Sequence, residues 1–192
     1  IFTLVVCLLL VLSLVPDGLA DQSLDDPEIV HLPLVLKLPT FGESTGVLDS
    51  DFDGDGWATL NFGSPFQWIY GIALQPDGKI VVAGSAVGDA YPECAMARYN
   101  PDGSLDPSFD DDGMLVTDIS GDTNSFKDIA LQADGKIVAV GWASNGVSND
   151  FALVRYNPDG SLDTSFSGDG IQATDFASSN DAANGVALQP DG

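Results

Sequence analysis

From residue 46 onward, apolar residues fall into short runs divided by Gly, Pro, Asn and Asp, and no stretch after residue 20 keeps a helical spacing. In one unit the runs are Trp68 to Gln75, Lys79 to Gly84, Cys94 to Tyr99 and Met114 to Asp118. β-Branched and aromatic side chains fill them, which predicts strands. Pro76-Asp77-Gly78 lies between the first two runs. Pro sets φ at the second turn position and Gly accepts the left-handed conformation that closes it, so this junction predicts a hairpin. The polar stretch Gly88 to Glu93 leads to the third run, and Asn100-Pro101-Asp102-Gly103 turns the chain again. Leu105 to Gly113 predicts a loop with a short extended piece before the fourth strand.

The pattern repeats. Ile72-Ala73-Leu74-Gln75 returns as Ile129-Ala130-Leu131-Gln132 and as Val186-Ala187-Leu188-Gln189, at steps of 57 residues. Arg98 to Asp106 returns unchanged as Arg155 to Asp163, and Leu-Asp-x-x-Phe-x-x-Asp-Gly starts at Leu48, Leu105 and Leu162. Taking Ile-Ala-Leu-Gln as the landmark gives a partial repeat at 46–71, repeats at 72–128 and 129–185, and the start of another at 186–192. Four strands per unit predict an all-β chain of tandem antiparallel sheets, the blades of a partial β-propeller. A β-solenoid-like array is the alternative. A closed ring takes roughly four to eight blades, or about 230–460 residues at this period, more than 46–192 supply.

The strings Leu-Gln-Pro-Asp-Gly-Lys-Ile-Val-Val-Ala-Gly, Arg-Tyr-Asn-Pro-Asp-Gly-Ser-Leu-Asp-x-Ser-Phe and Gly-Asp-Gly resemble the delta-60 repeat over about 46–192. That resemblance implies a propeller-like fold and an exported bacterial protein, with no established reaction. The departures are Ala133 in place of the turn proline and a more acidic first copy, Asp51-Phe52-Asp53.

Outside the repeats, Ile1 to Val15 is apolar apart from Thr3 and Ser13, and Pro16-Asp17 ends the run before Gly18-Leu19-Ala20. The run is short for a bilayer core of about 30 Å, so 1–20 reads as a secretory signal lacking its basic n-region and 21–45 as a linker. No membrane span is expected in the mature chain, which is placed outside the cell or on its surface. Because the chain starts at Ile1 without methionine and stops in the Pro190-Asp191-Gly192 turn, it reads as a stretch of a longer protein. Removal of Cys7 with the signal leaves Cys94 alone, most simply a small buried hydrophobe. A net charge of −23, from 29 acidic and 6 basic residues, repels phosphate backbones and anionic membrane surfaces and argues against nucleic-acid partners.

Three features carry candidate chemistry. Gly42-Glu43-Ser44-Thr45-Gly46 has the G-x-S-x-G spacing of serine hydrolases but precedes an Asp-rich turn instead of a helix, and His31 is the sole histidine. Linker chemistry explains it better. Asp49, Asp51, Asp53 and Asp55 alternate as in the first half of a Ca²⁺ loop, yet position twelve is Leu60 instead of a bidentate Glu. The acidic count falls at the copies 106–112 and 163–169, as expected of turn caps. Arg98, Arg155, Lys79 and Lys136 keep repeat positions, and an arginine in a half-buried strand needs a carboxylate, with Asp106 or Asp118 as candidates. Trp57, Trp68, Trp142 and Tyr91 do not repeat and are suited to a unit-specific surface. The expected function is a non-catalytic scaffold that binds a protein or glycan. Its alternatives are part of a propeller enzyme whose site lies elsewhere, and a Ca²⁺-stabilised array.

Overall fold

A computed structural model describes residues 48–64, 67–87, 91–177 and 179–189, and the backbone alone of 30–33. The signal segment 1–20, the Gly42 to Gly46 motif and the Pro190-Asp191-Gly192 turn lie outside these residues, and of His31 only the backbone is described.

Ten strands and no helix occur among the described residues. Strands β1 (Val30–Pro33) and β2 (Trp57–Leu60) pair with each other. β3 (Gln67–Leu74), β4 (Ile80–Val87), β5 (Pro92–Tyr99) and β6 (Met114–Thr117) form one antiparallel sheet in chain order. β7 (Asn124–Leu131), β8 (Ile137–Ser144), β9 (Asn149–Tyr156) and β10 (Ile171–Thr174) form a second sheet of the same design. The expected four-stranded units are therefore present.

Their starting point differs from the sequence landmark. The sheets open at Gln67 and Asn124, upstream of Ile72 and Ile129, because the recurring Ile-Ala-Leu-Gln string lies in the second half of β3 and of β7. The predicted run Trp68 to Gln75 and the observed strand differ by one residue at each end, and each of the two strands carries a bulge, at Ile69/Gly71 and at Phe126/Asp128. β1 lies inside the stretch read as a linker. β2 is the 57-residue counterpart of β6, but Trp57 pairs with Pro33, whereas the register of Met114 with Ala97 would put it opposite position 40.

The hairpin turns follow from their polar residues. Gly78 N–H donates to the Gln75 carbonyl and Asp77 Oδ1 accepts the Lys79 N–H. The second copy makes the same bonds through Gly135, Gln132, Asp134 and Lys136 with Ala133 in place of proline, so the aspartate and glycine suffice. Leu105 to Gly113 is a compact turn. Leu105 bridges to Tyr99, Gly113 N–H reaches the Phe109 carbonyl, and the Phe109 ring is fully buried.

β7 packs against β3, β4 and β5 of the preceding sheet. Val81, Ala83, Cys94, Met96 and Phe109 from one sheet meet Phe126, Ile129, Ile137 and Tyr156 from the next in one core. A second core joins Phe52, Ala58 and Leu60 to Ile80, Val82, Ala97 and Tyr99. Each sheet thus buries its face against its neighbour, as in a row of propeller blades.

Candidate functional site

The most ordered polar constellation is the repeated acidic turn and the strand beneath it. On β5, Arg98 Nε donates to Asp106 Oδ2 at 2.6 Å, Nη2 donates to Ser108 Oγ at 3.0 Å, and the guanidinium lies 4.7 Å from the Phe109 ring centroid. Lys79 Nζ reaches the same Asp106 Oδ2 at 2.9 Å. Asp106 Oδ1 accepts the N–H and the hydroxyl of Ser108. Arg155, Asp163, Ser165, Phe166 and Lys136 repeat the arrangement. Of the two expected partners, the structure selects Asp106. Asp118 instead caps the Ser120 and Gly121 N–H groups.

The two copies differ in one bond. Arg98 Nη1 donates across the sheet boundary to the carbonyl of Pro158, in the Asn-Pro-Asp-Gly turn of the next unit. Beside it, Asp110 N–H donates to the Asp159 carbonyl at 2.9 Å, and Asp53 N–H donates to the Asp102 carbonyl at 2.7 Å one repeat earlier. The acidic turn of each unit therefore latches onto the Pro-Asp-Gly turn of the following one. The Arg98 side chain is 5% exposed and that of Arg155 is 22% exposed, so the inner copy is the more deeply sealed. Sequence reasoning missed Ser108, Ser165 and the Pro158 carbonyl as guanidinium acceptors. The constant spacing from Arg to Asp-x-Ser-Phe was the available signal.

Burial would raise the Asp106 pKa, but hydrogen bonds from Lys79, from the Ser108 hydroxyl and N–H, and from Arg98 outweigh it and hold the carboxyl well below the usual range. Asp163 is also held low, first by the Ser165 hydroxyl and then, against desolvation, by Lys136, the Ser165 N–H and Arg155. These groups are fixed ion pairs, unsuited to exchanging protons near neutrality.

Asp49, Asp51, Asp53 and Asp55 sit on the corresponding turn of the first copy. Asp49 Oδ1 accepts the Asp51 N–H and Asp55 Oδ1 accepts the Trp57 N–H. Asp53 adopts a positive φ of 48°. Among the described residues, no group of three or more His, Cys, Asp or Glu is arranged to hold a metal ion. The visible work of these aspartates is capping the turn, with Phe52 buried beneath.

Cys94 is fully buried, and burial pushes its thiol well up, with Asp118 and Glu93 adding to the shift. It fills the core as an inert hydrophobe. Two buried tyrosines occupy equivalent positions with unequal surroundings. Tyr156 Oη shares a hydrogen bond with Thr117 Oγ1 at 2.6 Å, whereas Tyr99 Oη has no hydrogen-bond partner among the described residues. The repeat explains the difference, because the counterpart of Thr117 is Leu60, which packs in the Tyr99 core. Tyr99→Phe is expected to raise stability by about 1 kcal/mol and Tyr156→Phe to lower it by about 1 kcal/mol, as measured by urea unfolding. Shifts of the same sign would contradict this assignment.

The non-repeating aromatics lie on the surface: Trp57, Trp68 and Tyr91 are exposed, and Trp142 is half-buried. Tyr70, which the sequence reading passed over, is exposed on the same strand as Trp68 and carries Lys127 Nζ 3.5 Å from its ring centroid. The change from Tyr70 to Lys127 at one repeat position was the signal for this contact between neighbouring units.

Among curated proteins none matches the chain. A family profile described as "Domain of unknown function (DUF5122) beta-propeller" matches residues 75–109 and 132–166. Each matched stretch runs from the first hairpin turn through the Arg-Tyr-Asn-Pro-Asp-Gly strand and turn to the buried or half-buried Phe109 and Phe166. The chain is thus similar, in both of its four-stranded units, to a repeat family of β-propellers.

Proposed function

We propose that this chain is a non-catalytic scaffold of the delta-60 repeat type, exported to the cell surface or beyond, which binds a protein or glycan partner. The observation that carries this reading is a division of labour. The charged residues constant through the repeat are held in bonds within and between the units, as Arg98, Lys79 and Asp106 illustrate. Aromatics that change from unit to unit are exposed: Trp57, Trp68, Tyr70 and Tyr91 are 40–50% accessible. Trp68 and Tyr70 are both exposed on β3, and large aromatics on a rigid strand supply contact area at low entropic cost.

The test is a binding screen of the chain against immobilised glycans and secreted proteins. A saturable ligand is expected, weakened at least about tenfold by Trp68→Ala with Tyr70→Ala, while both proteins still unfold cooperatively. Turnover of a substrate by this chain, or ligand binding indifferent to both substitutions, would overturn the reading.

A further inference from the structure

Asn-Gly-Val occurs twice in the chain, at Asn145-Gly146-Val147 and at Asn184-Gly185-Val186. Both asparagines and both glycines are exposed, so accessibility does not separate the two copies. Hydrogen bonding does. At the tip between β8 and β9, Asn145 Oδ1 accepts the Val147 and Ser148 N–H groups at 3.0 Å and 2.9 Å. Its Nδ2 donates to Ser148 Oγ and to the Asp150 carboxylate. Gly146 N–H donates to Ser144 Oγ at 3.1 Å, and a φ of 83° holds the glycine in the left-handed region. By contrast, the Asn184 side chain and the Gly185 N–H make no hydrogen bond among the described residues. Gly185 lies outside the left-handed region, and a Cβ there would meet Asp128 Oδ2 at 3.8 Å, an ordinary contact.

We propose that Asn184 is a site of spontaneous deamidation, and that its conversion loosens the hold of Asp128 on the segment that follows the second sheet. The Gly185 backbone nitrogen attacks Asn184 Cγ. A bond forms between them, the Cγ–Nδ2 bond breaks, and Nδ2 leaves as ammonia with the proton that the Gly185 nitrogen gives up. The five-membered succinimide so formed takes up one water at either of its carbonyls, which leaves aspartate or isoaspartate at position 184. Nothing is oxidised or reduced, and water is the only co-reactant. Glycine has no Cβ to obstruct ring closure, so the sequence makes both copies reactive. Attack also requires the side-chain carbonyl to swing toward the next backbone nitrogen. The unbonded Asn184 can reach that geometry, whereas Asn145 must first break the bonds that hold it and Gly146. Isoaspartate inserts a methylene into the backbone just before Gly185 and Val186. Val186 N–H donates to Asp128 Oδ2 on β7 at 3.0 Å, and the insertion displaces this bond. The inference does not depend on the binding reading, because neither Trp68 nor Tyr70 takes part.

The test incubates the folded chain in mildly alkaline buffer and digests it with trypsin, which cuts between the two copies at Arg155. Fragmentation mass spectrometry reads the exchange of NH₂ for OH at each asparagine, and enzymatic methylation of isoaspartate reports the rearranged product. Conversion at Asn184 is expected to run at least about tenfold faster than at Asn145. In concentrated urea the two rates should converge, because the tripeptides are identical and the bonds on Asn145 are gone. Gly185→Ala should slow conversion at Asn184 while the protein still unfolds cooperatively. After conversion, the Val186 amide should exchange its hydrogen faster than before. Equal rates at the two sites in the folded chain, or a faster rate at Asn145, would overturn the inference. A difference that persisted in urea would place its cause outside the fold and would also overturn it. Unchanged protection of Val186 after conversion would overturn the loosening of the Asp128 contact.

Discussion

Gly84→Ala is expected to unfold the first sheet or lower its stability by about 3 kcal/mol or more, a large part of the total for a domain of this kind. A Cβ at Gly84 would lie 1.8 Å from the Trp68 carbonyl oxygen and 2.9 Å from the Ile69 Cα, both backbone atoms that cannot swing aside. The position sits opposite Ile69, where β3 bulges toward β4. Gly141 meets Ser125 and Phe126 in the same way, at 1.9 Å and 2.9 Å. The two substitutions should therefore have similar effects in thermal and urea unfolding. A Gly84→Ala protein within about 0.5 kcal/mol of the parent would show that the bulge is not held as described.

The second large effect is expected at Asp106. Asp106→Ala leaves Arg98 and Lys79 without their shared carboxylate, Arg98 in a site 4% exposed, and should cost about 3–5 kcal/mol. The pH dependence identifies the cause. Asp106 titrates lower in the folded chain than in the unfolded one, so the unfolded chain takes up its proton first as the pH falls. Its contribution is complete above about pH 5 and declines progressively below about pH 4, the ordinary carboxylate value. Asp163 is depressed in the same direction and adds to the same decline. The Asp106→Ala protein should accordingly lose less of its remaining stability between neutral pH and pH 3 than the parent. An equal slope would place the acid sensitivity elsewhere.

Much of this architecture is legible in the residues. Turn chemistry is local, so Gly78, Gly103 and their copies mark the junctions, and the constant period fixes how many strands each unit holds. A carboxylate partner for Arg98 follows because a half-buried guanidinium needs one, although the choice of Asp106 over Asp118 came only with the structure. Other features depend on tertiary contacts that no local pattern encodes. β3 and β7 each carry a bulge, and β1 pairs out of phase with the repeat. Arg98 also reaches a backbone carbonyl at Pro158, an acceptor that every residue possesses and no side chain announces.

The central claim is that successive units form one interlocked β array through bonds that recur every 57 residues. Amide hydrogen exchange at Asp53 and Asp110 tests it most directly. Both are surface residues whose N–H groups donate to the next unit, at the Asp102 and Asp159 carbonyls. Both amides are predicted to exchange slowly, with protection comparable to that of the strands they join. Rapid, unprotected exchange at both, with the strand amides still protected, would show that the units fold without docking and would contradict the account.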